Sequence, residues 1–378
     1  MSGMIFYSFF VLMTVAVAYK IKGVKQTTSY GRDYGNNQGL VSTICFCGLF
    51  LLLFLLSSMR HMTGHDYSTY IDRAHDIAHE SYGVTEWGFN LLVLLIYSIC
   101  NCENYILLFS VIAAVMIFFF LKGIYVQSRD FAFTFFLYMA FGLYFQSFST
   151  VRYYLAMSLV FFSLSFWKKK HYIKGVLLIL AASLFHKSAL VAIPIYFLAG
   201  IKWKKVHVII LTVLASTGVV FNDFYLKIML KLYPSYVVSG EYEGTGGFSI
   251  INVLRSLAVV ILGLYFWREM VKNNNEYGEE NRFYFYLNYA SLLYFAFFSF
   301  VPYGSRIGYY MSISQILYLP SIIEDIKDEK KKRIVKWAVI GAAVLYLGMY
   351  LIKADDPGVA VLPYRSWLFE NVTFFRDV

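Results

Sequence analysis

The chain has 378 residues, a formal net charge of +10, 59% hydrophobic residues and only 15% charged residues. A soluble domain carries about 25% charged residues, so this composition excludes an ordinary globular protein. The positive charge does not indicate nucleic-acid binding, because lysine and arginine collect in the cytoplasmic loops of membrane proteins. We therefore predict an all-α, polytopic integral membrane protein that is surrounded by membrane lipid and has no nucleic-acid partner.

Apolar segments follow one another along the whole chain. A run of roughly 20 apolar residues crosses the hydrocarbon core as a helix, which pairs all its own backbone groups. The segments predict about 11–13 transmembrane or re-entrant helices in a single transmembrane domain, 1–378. The first is predicted to be a retained helix, because it lacks the basic region and cleavage site of a signal peptide. The segments lie at about 4–19, 40–57, 89–100, 105–121, 131–147, 153–167, 175–186, 188–200, 206–221, 249–267, 283–301, 307–323 and 334–352.

Basic stretches between the segments predict the orientation, because such stretches stay in the cytoplasm. This orientation places outer loops at about 58–88 and 222–248. Four apolar segments then separate the first outer loop from the cytoplasmic Lys168, so one of them is re-entrant or fused with a neighbour. The segment 89–100 and the break at 148–152 are the two candidates. The predicted cytoplasmic stretches are 168–174, 202–205, 268–282 and 324–333.

The first outer loop carries groups that are suited to acid–base chemistry. Asp66 is the favoured general base, because a positioned carboxylate accepts the proton of a hydroxyl group. His65 is a competing candidate. Tyr67 and Tyr70 would offer aromatic faces to a sugar. The alternative for most of the charges in this loop is simple solvation.

His75 and His79 are four residues apart, so a helix would place both on one face. With Asp72 or Asp76 they would form a metal-binding group. A plain surface helix is the favoured interpretation, and we predict no metal site.

Cations beside apolar segments form a second group of candidates. An ionised side chain at membrane depth costs several kcal/mol and usually faces a cavity, although an arginine near a helix end also reaches the interface without any special function. Guanidinium groups on one side would suit a diphosphate, because each binds its oxygens in pairs. These arginines are Arg152, Arg255 and Arg306.

His186 and Lys187 lie near the tip of a tight helical hairpin that is predicted between Lys174 and Lys202. A buried histidine is often structural. In a chain with so few charges, we predict a functional role for this pair.

Short stretches, taken in order, carry a resemblance to a known family. They are Gly64-His-Asp66-Tyr67-Ser-Thr-Tyr70, Glu86-Trp-Gly-Phe, Arg152 followed by Leu155-Ala156, Ser183-Leu-Phe-His186-Lys-Ser188-Ala-Leu, Arg306-Ile-Gly-Tyr309 and Pro363-Tyr364. Together they resemble the EpsG family of Wzy-type polysaccharide polymerases over nearly the whole chain. One departure is Tyr153 after Arg152, where the family pattern has glutamine, and it affects only a secondary polar contact.

The resemblance implies a GT-C-like glycosyltransferase in the bacterial inner membrane, with its active site facing the periplasm or exterior. Such enzymes join oligosaccharide repeat units carried on undecaprenyl diphosphate. The growing glycan of the donor moves onto an incoming lipid-linked acceptor, and undecaprenyl diphosphate leaves. The resemblance implies no cofactor and a metal-independent reaction. A flippase and a chain-length regulator are further potential partners.

Two residues are assigned to catalysis, Asp66 as the base and His186 as the alternative. Arg152, His186 and Arg306 are assigned to the diphosphate, with Arg60 and Arg255 as weaker members. The full set of predicted substrate-binding residues for diphosphate or sugar is Arg60, His65, Tyr67, Tyr70, Arg152, Lys187, Ser188, Arg255, Arg306 and Tyr309.

Other functions remain open at this point. A transporter or flippase of lipid-linked glycans would use the same cations to bind a diphosphate without making a bond. A membrane acyltransferase would need an acyl-CoA site, which no sequence feature favours. Scattered cations and the lack of a repeated pore segment disfavour an ion channel.

Overall fold

The computed structural model describes residues 2–29, 36–79, 85–232, 249–272, 277–298, 301 and 304–370. Over these residues the chain forms α-helices and no β-strand, which confirms the all-α prediction. The helices are α1 (Ser2–Ala18), α2 (Val24–Ser29), α3 (Asn36–Ser58), α4 (Tyr67–Ala78), α5 (Trp87–Cys100), α6 (Tyr105–Gln127), α7 (Phe131–Ala140), α8 (Leu143–Gln146), α9 (Val151–Lys168), α10 (Tyr172–Ser183), α11 (Ala192–Gly200), α12 (Lys205–Val220), α13 (Asn222–Leu232), α14 (Ile250–Tyr265), α15 (Gly278–Phe297), α16 (Ser305–Ser312), α17 (Gln315–Asp325) and α18 (Glu329–Ile352). A 3₁₀ helix (Lys187–Val191) and a short π-helix (Arg268–Lys272) complete the set.

Three of the described helices are long and apolar enough to cross a membrane, namely α3, α6 and α18. Helices α12 and α13 together form a fourth candidate, which is bent by 88° between them. Shorter apolar helices accompany them, and the polytopic membrane prediction is confirmed. Because the shorter apolar helices do not reach the length of a full span, the number of membrane crossings stays a prediction.

Two predicted apolar segments prove to be broken. Segment 131–147 forms α7 and α8, and segment 307–323 forms α16 and α17. The first break lies at Gly142, whose φ of +70° is a left-handed conformation that ends a helix. A ten-residue helix such as α7 is about 15 Å long, roughly half the thickness of the hydrocarbon core. The broken segment therefore lies just before the break that we proposed at 148–152.

Both predicted outer loops contain helix. Helix α4 lies within 58–88, and its apolar residues recur at helical spacing, so one face is buried, including Ile71, Ala74 and Ile77. Helix α13 occupies the beginning of 222–248, and residues 80–84 and 233–248 lie outside the described part of the chain. The sequence predicts a surface helix at His75 and His79 but not the buried face of α4, because the many charges of this stretch obscure its amphipathic period.

The chain divides into two compact units, which are described separately here. The first unit comprises Met1–Ser165, Leu177–Lys187 and Asp328–Val378. The second comprises Phe166–Val176 and Ser188–Lys327. The single transmembrane domain stays a prediction.

In the first unit, the residues after α18 fold back along the residues after α3. Arg60 and Ser366 form an isolated antiparallel bridge. The Gly64 N–H donates to the Ala360 carbonyl at 2.7 Å. These contacts fix the segment that leads directly to Asp66.

Gly64 is the position in this segment where a side chain is least tolerated. Its φ is +107°, and an added Cβ would lie 2.2 Å from the Phe148 carbonyl oxygen. We expect Gly64→Ala to destabilise the protein by about 1–3 kcal/mol, because it adds backbone strain to a clash. Thermal unfolding of the purified protein in detergent measures this. Gly358→Ala is the matched control, since its Cβ would meet nothing within 4 Å, and equal melting temperatures for the two variants would contradict the expectation.

In the second unit, one acidic residue forms ion pairs with basic residues of three predicted cytoplasmic stretches. Glu279 Oε1 lies 3.0 Å from the Arg282 guanidinium and 3.4 Å from Lys202 Nζ, and Oε2 lies 3.8 Å from Lys170 Nζ. The hydrogen bond from Arg282 is the main cause that lowers the pKa of Glu279. Residues of the stretches 168–174, 202–205 and 268–282 therefore meet around Glu279, and the side of the membrane on which they lie stays a prediction.

Candidate functional site

Arg152 is a buried cation of the first unit. It lies in the first turn of α9 and is 9% exposed. Its NH1 donates to Oε2 of Glu86 at 2.5 Å, and its Cζ lies 5.6 Å and 5.3 Å from the ring centres of Tyr70 and Phe89. The carboxylate and the two aromatic rings together hold the guanidinium in a single orientation, because buried cations need both a partner and a packed environment.

The Arg152 guanidinium retains hydrogen-bonding capacity. Its buried Nε has no hydrogen-bond partner among the described residues. A buried N–H donor without a partner is uncommon and calls for an explanation. An oxygen of a bound anion would satisfy it.

Glu86 joins this cation to the turn that carries His186. Its Oε1 accepts the backbone N–H of Lys187 at 3.3 Å. Two residues later, the Gly88 N–H donates to the Leu184 carbonyl at 2.8 Å. The beginning of α5 is thus fastened to residues 184–187 by two hydrogen bonds.

His186 lies beside α9 in the same unit. Its ring centre is 5.3 Å from that of Tyr153, with the rings edge to face. Tyr153 follows Arg152 directly, so the structure brings Arg152, His186 and Lys187 together around Glu86. Tyr153, at the position where the resemblance leads us to expect glutamine, packs against the histidine ring.

Asp66 lies at the N-cap of α4 and is half-buried, with 27% of its side chain exposed. The preceding His65 is held on both sides, since its N–H donates to Ser149 Oγ at 3.2 Å and its Nδ1 lies 2.7 Å from the Pro357 carbonyl oxygen. His65 Nε2 lies 3.9 Å from an Asp66 carboxylate oxygen. Ser149 lies two residues before the start of α9, so the residue next to the candidate base is anchored to the turn that leads into Arg152.

Arg60, a weaker member of the predicted diphosphate site, is buried among backbone carbonyls. Its guanidinium donates to the carbonyls of Ser57 at 3.1 Å and Thr63 at 2.8 Å, and also to that of Phe148. Burial is the main cause that lowers its pKa, and the nearby Tyr67 hydroxyl opposes the shift. These contacts favour a structural role, in which Arg60 shapes the loop before Asp66, and its contact with a diphosphate stays a prediction.

Tyr67 and Tyr70 are buried rather than presented to solvent. The Tyr67 ring stacks on Phe109 with centres 4.6 Å apart, and its hydroxyl donates to the Arg60 carbonyl at 3.3 Å. The Tyr70 ring packs beneath the Arg152 guanidinium. The two tyrosine rings that we expected to stack on a sugar are therefore packed against other residues of the protein. Their role in sugar binding stays a prediction.

The second unit brings together several other predicted residues. The Asn252 amide donates to the Tyr309 hydroxyl at 3.3 Å and accepts from the Arg255 guanidinium at 3.3 Å. Arg255 and Tyr309, from α14 and α16, thus share one polar neighbour. Sequence reasoning missed Asn252, although an amide three residues from an arginine on an apolar helix is a recognisable signal.

Arg306 and Ser188 also lie in this unit. Arg306 is half-buried in the first turn of α16. The Ser188 hydroxyl lies 3.1 Å from the hydroxyl of Tyr310, which is also a residue of α16. The second unit therefore groups Ser188, Arg255, Arg306 and Tyr309 around α16.

An apolar cavity of about 340 Å³ also lies in the second unit. The stacked rings of Trp203 and Tyr286, 4.2 Å apart, form part of its wall. Its volume falls within the range of small-molecule sites, and apolar linings favour apolar ligands. The larger side chains around it include Leu211, Tyr225, Leu293, Tyr294, Phe298 and Met311.

The model of the EpsG family matches residues 43–366. This chain belongs to the EpsG family. Proteins of this family are membrane-embedded and related to the Wzy-type polymerases, which assigns the chain to polysaccharide biosynthesis. No curated protein and no solved structure matches the chain.

For this EpsG family member, Glu86 is the main residue that sequence reasoning missed as part of the site. In the sequence, Glu86 is marked only as the start of the Glu86-Trp-Gly-Phe stretch. A carboxylate at the beginning of an apolar helix is a functional signal of the same kind as an arginine there. Its partner Arg152 lies 66 residues away in the sequence, so the pairing itself had no local signature.

Proposed function

We propose that this protein is a polysaccharide repeat-unit polymerase, a glycosyltransferase of the inner membrane that faces the periplasm or exterior. It joins oligosaccharides carried on undecaprenyl diphosphate. The observation that carries the proposal is the buried Arg152 guanidinium, held by Glu86 beside the segment that bears Asp66, in a chain of the EpsG family.

The reaction replaces one bond to the anomeric carbon by another. A hydroxyl oxygen of the acceptor glycan forms a bond to the anomeric carbon of the donor, and the bond from that carbon to the phosphate oxygen breaks. Asp66 takes the hydroxyl proton and later releases it to water. Undecaprenyl diphosphate leaves with the electron pair of the broken bond, so the reaction balances without oxidant, metal or nucleotide.

Arg152 is assigned to the leaving diphosphate. A cation that is already oriented when charge develops stabilises the transition state without reorganisation. Glu86 and the rings of Tyr70 and Phe89 supply that orientation. The unpaired Nε donor is the position for a phosphate oxygen.

The apolar cavity of the second unit has the size and lining for a short apolar group. Its walls are aromatic and aliphatic. For Arg255 and Arg306, which belong to the second unit, binding of a phosphate group stays a prediction.

Elongation by the purified protein tests the proposal. The full-length chain in nanodiscs is incubated with an undecaprenyl-diphosphate-linked oligosaccharide repeat unit from its own host, and products are separated by gel electrophoresis and mass spectrometry. We expect lipid-linked products that lengthen in steps of one repeat unit. Movement of unlengthened units across a bilayer, with no longer product, would instead indicate a transporter.

A further inference from the structure

The C-terminal part of α4 carries a cluster that the proposed function does not use. His75 and His79 lie one helical turn apart, with ring centres separated by 4.2 Å. His75 Nδ1 lies 2.8 Å from Oε1 of Glu103, and His79 Nδ1 lies 3.7 Å from the same oxygen. Among the described residues, these three form the group whose ligand atoms all lie within 4.8 Å of one another.

Glu103 is an unusual carboxylate. Its side chain is 2% exposed, and it lies in the short loop between α5 and α6. Its charged partners among the described residues are the two imidazoles. A buried carboxylate needs compensating positive charge, which a protonated imidazole or a bound cation can supply. A divalent cation between the three groups would supply that charge.

We propose that His75, His79 and Glu103 bind a divalent transition-metal ion. Zn²⁺ is the ion used to test this site. Two histidines and one glutamate form a recognised set of three protein ligands for zinc, with the fourth position left to water. Ligand atoms that surround zinc tetrahedrally lie about 3.4 Å from one another, given their distances to the metal. The observed separations of 2.8 Å and 3.7 Å lie on either side of that value.

The surroundings allow an ion to enter and bind. The side chains of His75 and His79 are 40% and 41% exposed, so the cluster opens to the surface above its buried carboxylate. His79 Nδ1 also lies 3.0 Å from the His75 carbonyl oxygen. A rotation of the His79 ring exchanges this hydrogen bond for a bond to the metal.

The ion would connect α4 to the loop between α5 and α6. His75 lies roughly 14 Å along the helix from Asp66, at 1.5 Å per residue. At this distance the ion would take no direct part in the proton transfer at Asp66. Its role would be to hold α4 in place. The proposal does not depend on the proposed function. Sequence reasoning considered these histidines with Asp72 or Asp76, which lie outside the observed group, and favoured no metal.

Zinc binding by the full-length protein in detergent tests the site. After chelator treatment and dialysis, Zn²⁺ affinity is measured by competition with a chromophoric chelator, and bound metal by mass spectrometry. We expect about one Zn²⁺ per chain. Glu103→Gln and His79→Gln should each weaken binding on the order of a hundredfold or more, since even outer-shell partners are worth 10–100-fold.

The controls separate this site from other ligands of zinc. His171→Gln removes an exposed histidine elsewhere, and the double variant Cys100→Ser/Cys102→Ser removes the nearby thiols. Both should bind zinc as the unmodified chain does. If Glu103→Gln fails to fold, judged by size-exclusion chromatography, the exposed His79→Gln variant and X-ray absorption at the zinc edge decide. Absence of zinc from the unmodified chain, unchanged affinity in His79→Gln, or sulfur ligands in the absorption spectrum would overturn the proposal.

Discussion

Arg152→Ala is expected to reduce glycan elongation about a thousandfold while the protein remains in the membrane. Removal of one preorganised charge-stabilising donor costs about 10²–10³ in rate, and Arg152 supplies both a charge and several donors. Arg152→Lys keeps the charge but loses the planar fork, so it should recover only part of the activity. The measurement is the rate of repeat-unit addition by purified variants at saturating acceptor.

Loss of Arg152 also leaves Glu86 without its cation, and an unpaired buried charge costs about 3–5 kcal/mol. The double variant Arg152→Ala/Glu86→Gln removes that charge, so it should melt at a higher temperature than Arg152→Ala and remain inactive. Arg333→Ala, at an exposed arginine in α18, is the matched control and should elongate normally. Normal chain lengths from folded Arg152→Ala would remove Arg152 from the diphosphate site.

Asp66→Asn is the second substitution with a large expected effect. It keeps the shape of the side chain and removes its ability to accept a proton, and general-base catalysis is worth about 10²–10⁴ in rate. We expect a loss of about a thousandfold in the rate of elongation with little change in the apparent affinity for the lipid-linked donor. Single-turnover kinetics with a radiolabelled acceptor separates the two quantities.

Asp72→Asn provides the control for Asp66→Asn. It makes the same chemical change on the same helix, at an exposed position outside the site, and should elongate as the unmodified protein does. Substantial activity in Asp66→Asn, combined with loss of activity in His186→Gln, would transfer the role of the base to His186. The His186 ring packs against Tyr153 next to Arg152, so it is placed for that alternative.

The family and the fold class followed from local features of the sequence. Apolar runs predict membrane helices because partition into lipid depends on the composition of each segment alone. Rare charges in such a chain single out Arg152, which the fold buries and pairs with Glu86. The breaks were harder to predict, since Gly142 is one of many glycines and only the folded chain gives it a left-handed conformation.

The roles of the aromatic residues in α4 depended on the tertiary structure. Tyr67 and Tyr70 were expected to offer faces to a sugar, and both are buried against Phe109 and Arg152. The same amphipathic period that forms α4 places these rings on its inner face. A pattern of residue types shows that a tyrosine is present, but not which of its faces is already covered.

The sequence alone therefore determined that this protein is a helical membrane protein of the EpsG family with a few charges beside its apolar segments. Only the tertiary structure decided the partners of those charges, Glu86 for Arg152 and Glu103 for His75. The physical reason is one of range. Burial of an apolar segment is decided residue by residue along the chain, whereas a buried charge is stabilised by whichever distant group the fold brings within hydrogen-bonding distance.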